Sequence, residues 1–466
     1  MSGLRGNELF YGRDAELKRL NALYEGGKFE CVILHGRRRT GKTALLREFL
    51  KQKNAVYFTA QETCSAENLK NLTVSVDLLR REQMLAAWEA NSFDDVFQYI
   101  GKMARTKRIV IIIDDYQFLV QGYKDISSLI CRQIGGSLKD SRLMLVICGS
   151  SEPTMEKEAL SAGSPFQGHI TAKIKLKPFT FFESRHYYSS FSLYDITVLY
   201  GVTGGVPKYL EFMNPDLPIE DNIRRAFFDP SSLLLEEPSN ILRREVRDPT
   251  YYNAILKAIA AGCGKNSEIS SAVSLDTAAC TAYLKNLITL ELVQKHTPIT
   301  EKAGKKTIYE LEDSMFRFWY RYLPDNISLI SSGMTSKIWR GIAQDIPVFM
   351  GKVFEDICRQ WLELRNAANR LPIKVTKFGR WWGHDPIRKE PSVIPIIACA
   401  DDNSAIFGDC KWSDAPVDAS ALESLIANCR LFNFRSKRLY LFSTSGFTGE
   451  CTELAKSSGA NLVMFE

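Results

Sequence analysis

The sequence predicts an α/β fold whose N-terminal part is built on a parallel β-sheet. Four short apolar runs, bounded by polar or glycine residues, predict strands at 31–36, 55–60, 108–115 and 143–150. Amphipathic stretches between these runs predict helices. Strands that are apolar on both faces and alternate with helices are typical of a parallel sheet covered on both sides.

The composition is that of an ordinary globular protein. Of 466 residues, 45% are hydrophobic and 24% are charged, and a chain of this length predicts about three domains. The formal net charge of +6 permits contact with nucleic acid but does not require it. The N-terminal segment MSGLRGNELF lacks the apolar h-region of a signal peptide, and the apolar runs are far shorter than the ~18 residues of a membrane span. None of the 11 cysteines forms a CxxC pair, so we expect a reduced, cytoplasmic protein with no membrane contact and no cysteine zinc site.

The clearest functional motif follows the first predicted strand. Residues 36–43 match the pattern G-x-x-x-x-G-K-[ST], with a strand before them and a helix after them. The glycines let backbone N–H groups turn toward the phosphates of ATP, and the helix N-terminus adds its positive end. Lys42 would reach the β- and γ-phosphates, and the Thr43 hydroxyl would ligate Mg2+. The residues expected to bind ATP in this loop are Gly36, Arg37, Arg38, Arg39, Thr40, Gly41, Lys42, Thr43 and Ala44.

A second motif completes the expected phosphate site. The apolar run 109–113 ends in Asp114 and Asp115, as a Walker B strand does. At the carboxyl edge of a parallel strand, Asp114 would hold Mg2+, mostly through water, and Asp115 would orient the attacking water. A buried strand ending in a solvated acidic turn is the alternative. The nearby phosphate loop favours the catalytic interpretation.

The strand predicted at 143–150 ends in polar residues. Ser150 would sense the γ-phosphate or position water during catalysis. A serine-rich loop without a catalytic role explains the same residues, and the sequence leaves these two interpretations open.

Three further segments follow an ATPase core predicted at 1–180. Residues 181–245 carry helical patterns. Residues 246–325 contain three short helices and two strand-like runs joined by a polar turn, which is the layout of a winged helix. Residues 326–466 begin with long helices and end in a second, smaller α/β unit.

A winged helix predicts contact with DNA, and we expect this contact to show little sequence preference. Clustered basic residues on its hairpin suit phosphate contacts, whereas the third helix is short of side chains that read base edges. The alternative is that this module packs on the ATPase core or on a partner protein. The residues considered are Thr277, Thr281, Lys285 and Asn286 on the third helix, and Lys295, His296, Lys302, Lys305 and Lys306 on the hairpin.

With these motifs in view, the chain resembles the archaeal-type P-loop ATPases of the AAA+/STAND superclass, which carry a winged helix and a C-terminal domain related to PD-(D/E)xK nucleases. The resemblance covers essentially the whole chain. Its landmarks include YGRDAELKRL (11–20), GRRRTGKT (36–43), IIIDDYQFL (111–119), CGSSEPTM (148–155), VTGGVPKYL (202–210), FRFWYRYL (316–323) and GDCKW (408–412). It implies a P-loop NTPase parallel sheet, a helical lid over 181–245, a winged helix and a C-terminal restriction-endonuclease-like α/β domain.

The resemblance assigns roles beyond the two phosphate motifs. It implies that Gly12 and Arg13, together with Tyr11, line the adenine pocket. It also implies that Pro207, in the sequence GGVP, places the lid helices against the bound nucleotide.

Two departures from the family pattern predict slow hydrolysis. Relatives usually have Glu where this chain has Asp115, whose shorter side chain reaches less far. Relatives often carry an arginine where this chain has His169, and a neutral imidazole counters transition-state charge poorly. The expected behaviour is that of a switch rather than a motor.

The nuclease-like domain is expected to be degenerate. A PD-(D/E)xK site needs an Asp at a strand end and a [DE]-x-K on the next strand, whose carboxylates hold Mg2+. Glu355, Asp409 and Lys411 match three positions of the pattern, but Pro395 stands where relatives have the first metal-binding Asp. Proline has no side-chain oxygen, so metal binding should be severely weakened.

The sequence therefore predicts an ATP-dependent cytoplasmic switch with DNA as a partner, and it leaves open a homo-oligomer or a protein partner. Two other interpretations compete with it. One is an ATP-regulated, Mg2+-dependent DNA nuclease, against which Pro395 argues. The other is a nucleotide-dependent protein scaffold that does not touch DNA.

Overall fold

The structure is a computed structural model, and it describes most of the chain. The described residues are 10–82, 90–188, 190–299, 306–386 and 388–465. Among them, no helix combines the length and the apolar composition needed to cross a lipid bilayer.

The chain folds into two compact units. The first contains Met1–Pro178 and Val206–Lys208, and the second contains Phe179–Gly205 and Tyr209–Glu466. Apart from residues 206–208, the three later segments predicted from the sequence share the second unit, and the boundaries between them stay predictions.

The first unit alternates strands and helices. Its strands are β1 (Glu30–His35), β2 (Ala55–Thr59), β3 (Ile109–Asp114), β4 (Leu143–Gly149) and β5 (Ala172–Lys175). Its helices are α1 (Asp14–Glu25), α2 (Lys42–Leu50), α3 (Ser65–Glu82), α4 (Phe93–Thr106), α5 (Tyr116–Gly122), α6 (Ile126–Gly135) and α7 (Glu152–Met155), and α7 continues into a π-helical turn at Glu156–Leu160.

The five strands form one parallel sheet in the order β2-β3-β4-β1-β5. Successive side chains of a strand point to opposite faces, so Ile33 and Ile111 join one core while Val32 and Val110 join another. Both cores also contain helical residues, which confirms the prediction of a parallel sheet covered on both sides. Because the strands are parallel, the carboxyl ends of β1, β3 and β4 meet at one edge.

The second unit contains most of the helices. They are α8 (Phe181–Tyr187), α9 (Leu193–Thr203), α10 (Pro207–Leu210, which starts in the first unit), α11 (Ile219–Phe227), α12 (Leu233–Glu245), α13 (Thr250–Ala260), α14 (Asn266–Ala272), α15 (Thr277–Thr289), α16 (Ser314–Tyr322), α17 (Ile327–Ser331), α18 (Thr335–Ala367), α19 (Ala419–Cys429) and α20 (Gly449–Ser458). Its strands are β6 (Val293–His296), β7 (Ile308–Leu311), β8 (Val375–Asp385), β9 (Glu390–Ala400), β10 (Ser404–Lys411), β11 (Ser436–Ser443) and β12 (Asn461–Met464).

Three helices and a hairpin follow one another at α13, α14, α15, β6 and β7, in the order that the sequence predicts for a winged helix. The carboxylate of Asp276 accepts two backbone N–H groups at the start of α15. That helix buries Cys280, Leu284 and Leu287, which recur every three or four residues along one face. Strands β6 and β7 pair antiparallel. The tip between them, with Lys302 and Lys305, lies outside the described residues.

The C-terminal part is a mixed sheet in the order β12-β11-β10-β9-β8. Strands β8, β9 and β10 pair antiparallel, whereas β10, β11 and β12 pair parallel. The apolar residues of α19 and α20 pack in one core with those of the sheet, for example Leu422 and Cys451 with Phe407 and Leu441. The predicted second α/β unit is therefore present as a separate mixed sheet.

Candidate functional site

The phosphate loop joins the end of β1 to the start of α2. Gly36, Arg39 and Gly41 all have positive φ angles, of 142°, 68° and 91°. A Cβ atom at Gly36 would lie 2.2 Å from the backbone oxygen of Leu176, so only glycine fits there. The sequence therefore folds the loop into a turn at the carboxyl edge of the sheet.

Lys42 is folded back onto this loop. Its Nζ donates hydrogen bonds to the backbone oxygens of Gly36 and Arg37, both at 2.7 Å. The side chain is buried, and burial lowers the pKa of Lys42 from its ordinary value. The ammonium thus has two neutral partners that the phosphate oxygens of a nucleotide can replace.

Thr43 and Ala44 occupy the first turn of α2. Both residues are exposed, so the helix N-terminus is open to a ligand. The Thr40 hydroxyl donates to the backbone oxygen of Arg37 at 2.9 Å, and the Arg38 guanidinium lies 6.0 Å from the ring centre of Phe118.

Asp114 lies at the end of β3, as predicted, beside the loop. Its Oδ2 accepts hydrogen bonds from the hydroxyls of Thr43 at 3.1 Å and Tyr57 at 2.5 Å. A hydroxyl beside a carboxylate is the oxygen donor set that Mg2+ takes, so these residues fit a magnesium ion bound with ATP. Burial, followed by the nearby Asp114 charge, raises the pKa of Tyr57. Sequence reasoning missed Tyr57, because its place is visible only once β2 is known to pair with β3.

Asp115 adopts a left-handed conformation, with φ of 52°, at the start of α5. Its Oδ1 accepts hydrogen bonds from Gln117 Nε2 at 2.9 Å and from Ser150 Oγ at 3.4 Å. The Gln117 side-chain oxygen also accepts the backbone N–H of Ser150 at 3.2 Å. Ser150 is thus linked to the acidic residue expected to orient water. Gln117 was not identified from the sequence, although it lies only two positions after Asp115.

His35 and Glu152 form a further pair at the same edge, at the end of β1 and the start of α7. The His35 Nδ1 lies 3.2 and 3.1 Å from the two carboxylate oxygens of Glu152. Burial acts to raise the pKa of Glu152, but the hydrogen bond from His35 holds it below its ordinary value. The pair was missed because β1 and β4 are adjacent only in space.

The two adenine-pocket candidates form a tight turn ahead of α1. Gly12 and Arg13 both have φ of 66°. The buried Arg13 guanidinium donates to the backbone oxygens of Thr40 at 3.1 Å and Lys177 at 2.6 Å. Arg13 therefore ties this turn to the phosphate loop, and its role toward adenine stays a prediction.

Pro207 also lies at the loop. Residues 206–208 cluster with the first unit although the chain on both sides belongs to the second. The Pro207 Cγ is 3.8 Å from the position that a Cβ would take at Gly41. The sequence pattern alone indicates only a turn before a helix, whereas the structure puts this proline beside the glycine that precedes Lys42.

The residues of the nuclease-like pattern are engaged with neighbouring cations. Lys411 Nζ lies 2.9 Å from Asp409 Oδ2, and Lys352 Nζ lies 2.9 Å from Glu355 Oε2. Strands β9 and β10 pair antiparallel, with Ile396 opposite Gly408. One residue further along, the same register puts Pro395 opposite Asp409. Within the described ranges, no group of three or more His, Cys, Asp and Glu residues is placed to hold a metal ion.

The polar residues proposed for DNA contact are only partly free. Thr277, Thr281, Lys285 and Asn286 are exposed on α15, as expected. On the hairpin, however, His296 Nε2 lies 3.4 Å from Glu310 Oε2. The His296 ring therefore faces a carboxylate of the opposite strand, and its role toward DNA stays a prediction.

Two family descriptions match the chain. Residues 10–213 match an ATPase domain found predominantly in Archaea, and residues 319–423 match a domain described as archaeal and bacterial proteins of unknown function. An uncharacterised protein of Methanocaldococcus jannaschii is 32% identical over 408 residues, which cover 87% of this chain and 88% of that protein.

Solved structures also resemble this chain. A Walker-type ATPase of Pyrococcus abyssi has a TM-score of 0.54 at 19% identity, covering 68% of this chain and 97% of that one. An ORC2 protein of Aeropyrum pernix, solved in complexes with ADPNP and ADP, has a TM-score of 0.47 at 14% identity, covering 71% and 98%. The likeness to the P. abyssi structure shows that the two chains share a P-loop ATPase fold. Since the M. jannaschii relative matches nearly end to end, this chain belongs to the family of archaeal-type ATPases that join this ATPase domain to a C-terminal domain of unknown function.

Proposed function

We propose that this protein is a cytoplasmic switch that binds ATP with Mg2+ and hydrolyses it slowly. One observation carries the proposal: Lys42, Thr43 and Asp114 converge where the phosphate loop meets the ends of β1 and β3. When ATP binds, the Lys42 ammonium exchanges its hydrogen bonds to the two backbone oxygens for hydrogen bonds to phosphate oxygens. The positive end of the α2 dipole also attracts the phosphates.

Each remaining residue of the site has a role in this proposal. Thr43 and Asp114 hold Mg2+, which counters the negative charge of the phosphates. Asp115 orients the attacking water, and Gln117 and Ser150 hold its carboxylate in place. Because Asp115 is one methylene shorter than the Glu of relatives, its reach toward that water is reduced, which supports slow turnover.

The Lys42→Ala variant tests ATP binding. Loss of the buried ammonium that is proposed to bind the phosphates should weaken ATP affinity by about 100-fold, as measured by isothermal titration calorimetry with Mg2+. The matched control is Lys51→Ala at the other end of α2, where an exposed lysine pairs with Glu48 at 2.6 Å. ATP affinity equal to that of the unaltered protein in Lys42→Ala would sink the proposal.

We further propose that α13, α14, α15 and the β6-β7 hairpin form a winged helix that touches DNA with little sequence preference. The exposed Lys285 on α15 supports phosphate contact. Gel-shift titrations with salt test this. Lys285→Ala should reduce the slope of log affinity against log salt by about 1, whereas Lys257→Ala, whose lysine pairs with Asp325, should not. Absence of binding to random duplexes at low salt would instead favour a protein scaffold.

We also propose that the C-terminal domain is a nuclease fold that has lost its metal site. The support is Pro395 at the register of Asp409 and the contact of Lys411 with Asp409. In a cleavage assay with Mg2+ or Mn2+, duplex DNA should stay intact. Robust cutting that disappears in Lys411→Ala would contradict this and favour an ATP-regulated nuclease.

A further inference from the structure

The second unit contains a cavity of about 330 Å3, and none of the residues that line it belongs to the phosphate loop. Its walls come from the β6-β7 hairpin, α16, α18 and β8, and Pro395 of β9 lies at its edge. Small-molecule sites range from ~300 to ~1,000 Å3, so this cavity has room for a compact ligand but not for a duplex.

The cavity carries an excess of positive charge. Its lining includes four Asp and Glu residues and six basic ones. The six are Lys295, Arg317, Lys352, Arg359, Lys377 and Arg380. The lining therefore has a net charge of +2 when all these groups are ionised and His296 is neutral.

Two cations and one imidazole lie close to Glu310. Arg380 lies 2.6 Å from it, His296 3.4 Å and Lys352 3.7 Å. Burial acts to raise the pKa of Glu310, but Lys352 and Arg380 hold it below its ordinary value. Burial and Arg380 lower the pKa of His296 to about 4 in spite of the adjacent carboxylate, so this ring is neutral at pH 7.

Asp356 is shared in the same way by two guanidinium groups. Arg317 lies 3.3 Å from it and Arg359 lies 3.4 Å from it. Within the part of the chain that the structure describes, the Nε and Nη1 of Arg317 and the Nε of Arg380 have no hydrogen-bond acceptor. The cluster therefore has more donors than acceptors, and a further anion would correct this imbalance.

We propose that this cavity binds a phosphate monoester, carried by a small molecule of mononucleotide size or by the end of a nucleic-acid strand. A phosphate monoester has a charge of about −1.5 to −2 at pH 7, which matches the excess in the lining. Its oxygens accept the forked donors of arginine, which recognise phosphate well. A divalent cation fits poorly because of the positive surplus and because Pro395 brings no oxygen ligand.

The experiment compares ligands with and without a terminal phosphate. Thymidine 5′-monophosphate is titrated against thymidine, and a 5′-phosphorylated oligothymidylate against its unphosphorylated form, in calorimetry with the full chain saturated with ATP and Mg2+. Saturation keeps the probes out of the phosphate loop. The ATP affinity of every variant is measured separately, so failure here is distinct from failure of the ATP proposal.

Two variants and a matched control locate the site. Arg317→Gln should weaken binding of the phosphorylated probe about 10-fold. Lys352→Gln, which changes a more exposed side chain, should weaken it about 5-fold. Arg321→Gln changes an arginine one turn further along α16 that pairs with Asp345 at 2.6 Å outside the cavity, so it should change affinity less than about 2-fold. Circular dichroism checks that each variant is folded. If Arg317→Gln does not fold, Lys352→Gln alone tests the site.

Preferential binding of either phosphorylated probe, lost in the cavity variants, supports the proposal. Tighter binding of the mononucleotide identifies a small-molecule ligand, and tighter binding of the phosphorylated oligonucleotide identifies a strand end. Equal binding of probes with and without phosphate overturns the proposal, and so does an equal effect of Arg317→Gln and Arg321→Gln.

Discussion

The phosphate loop of the first unit and the nuclease-like residues of the second both combine a lysine with carboxylates beside a β-sheet. In the first unit, the Lys42 ammonium is bonded to two backbone oxygens, and Asp114 accepts from two hydroxyls. In the second, the Lys411 ammonium lies 2.9 Å from the Asp409 carboxylate. The same residue types therefore have neutral partners in one site and charged partners in the other.

This difference decides how ready each site is for a ligand. A phosphate can take the place of the two carbonyls on Lys42 at modest cost, because they carry no net charge. A magnesium ion can likewise enter between the Thr43 hydroxyl and the Asp114 carboxylate without breaking an ion pair. Separating Lys411 from Asp409 instead breaks an ion pair, although the partial exposure of Lys411 limits its strength. The Lys42 charge in the first site is therefore available to ATP, whereas the Lys411 and Asp409 charges in the second site already neutralise each other.

The largest expected effect comes from removing the charge of Asp114. Asp114→Asn keeps the shape of the side chain but weakens its hold on Mg2+, so ATP turnover should fall by about 100-fold or more in a phosphate-release assay. Asp409→Asn in the second unit should leave turnover within about 2-fold. Similar losses in both variants would mean that the two sites act as one.

Restoring the absent carboxylate of the second site should give the next largest effect. Pro395→Asp places a carboxylate at the register of Asp409 and should tighten Mn2+ binding about 10-fold in calorimetry, because two acids then share the ion. Pro391→Asp, on the same strand opposite His384, is the control. An equal gain in both variants would refute the assignment of Pro395.

Removing the amide that holds Asp115 should affect chemistry but not binding. Gln117→Ala frees the carboxylate from a 2.9 Å hydrogen bond, and turnover should fall about 10-fold with ATP affinity unchanged. Gln133→Ala, which frees Asp94 on α4 instead, is the control and should change neither quantity. A drop in ATP affinity without a drop in turnover would rule out this positioning role.

The smallest effect should come from lengthening the acid itself. Asp115→Glu adds one methylene and gives the longer reach that the family pattern implies, so turnover should rise about 5-fold in the same phosphate-release assay. Asp125→Glu, at the start of α6, adds a methylene away from the loop and should have no effect. Unchanged or lower turnover in Asp115→Glu would remove the short carboxylate as the cause of slow hydrolysis.

The parts of the site that were predictable are those whose residues are contiguous. Lys42 and Thr43 follow from one motif, and Asp114 and Asp115 from one strand end, because local sequence fixes their geometry. Four of the five strands of the parallel sheet were also predicted from their apolar runs. The fifth, β5, alternates buried and exposed residues and ends in a lysine, so it lacks the continuous apolar run of the others.

Apart from Gln117, the residues that were missed depend on which strands are neighbours. Tyr57 reaches Asp114 only because β2 pairs with β3, and His35 meets Glu152 only because β1 pairs with β4. His296 was assigned to a phosphate-binding surface, yet its Nε2 lies 3.4 Å from the Glu310 carboxylate of the neighbouring strand. Strand order is a property of the tertiary structure, so no local sequence pattern predicts these contacts.

The segment 206–208 has a consequence for how such proteins can be divided or recombined. The polypeptide passes between the two units three times, at residues 178–179, 205–206 and 208–209. A truncated chain that stops after the last strand of the parallel sheet would lack Pro207, and one that continues to include it would carry a fragment of the other half. A single crossover between genes therefore cannot transplant all of the first unit without also carrying part of the second.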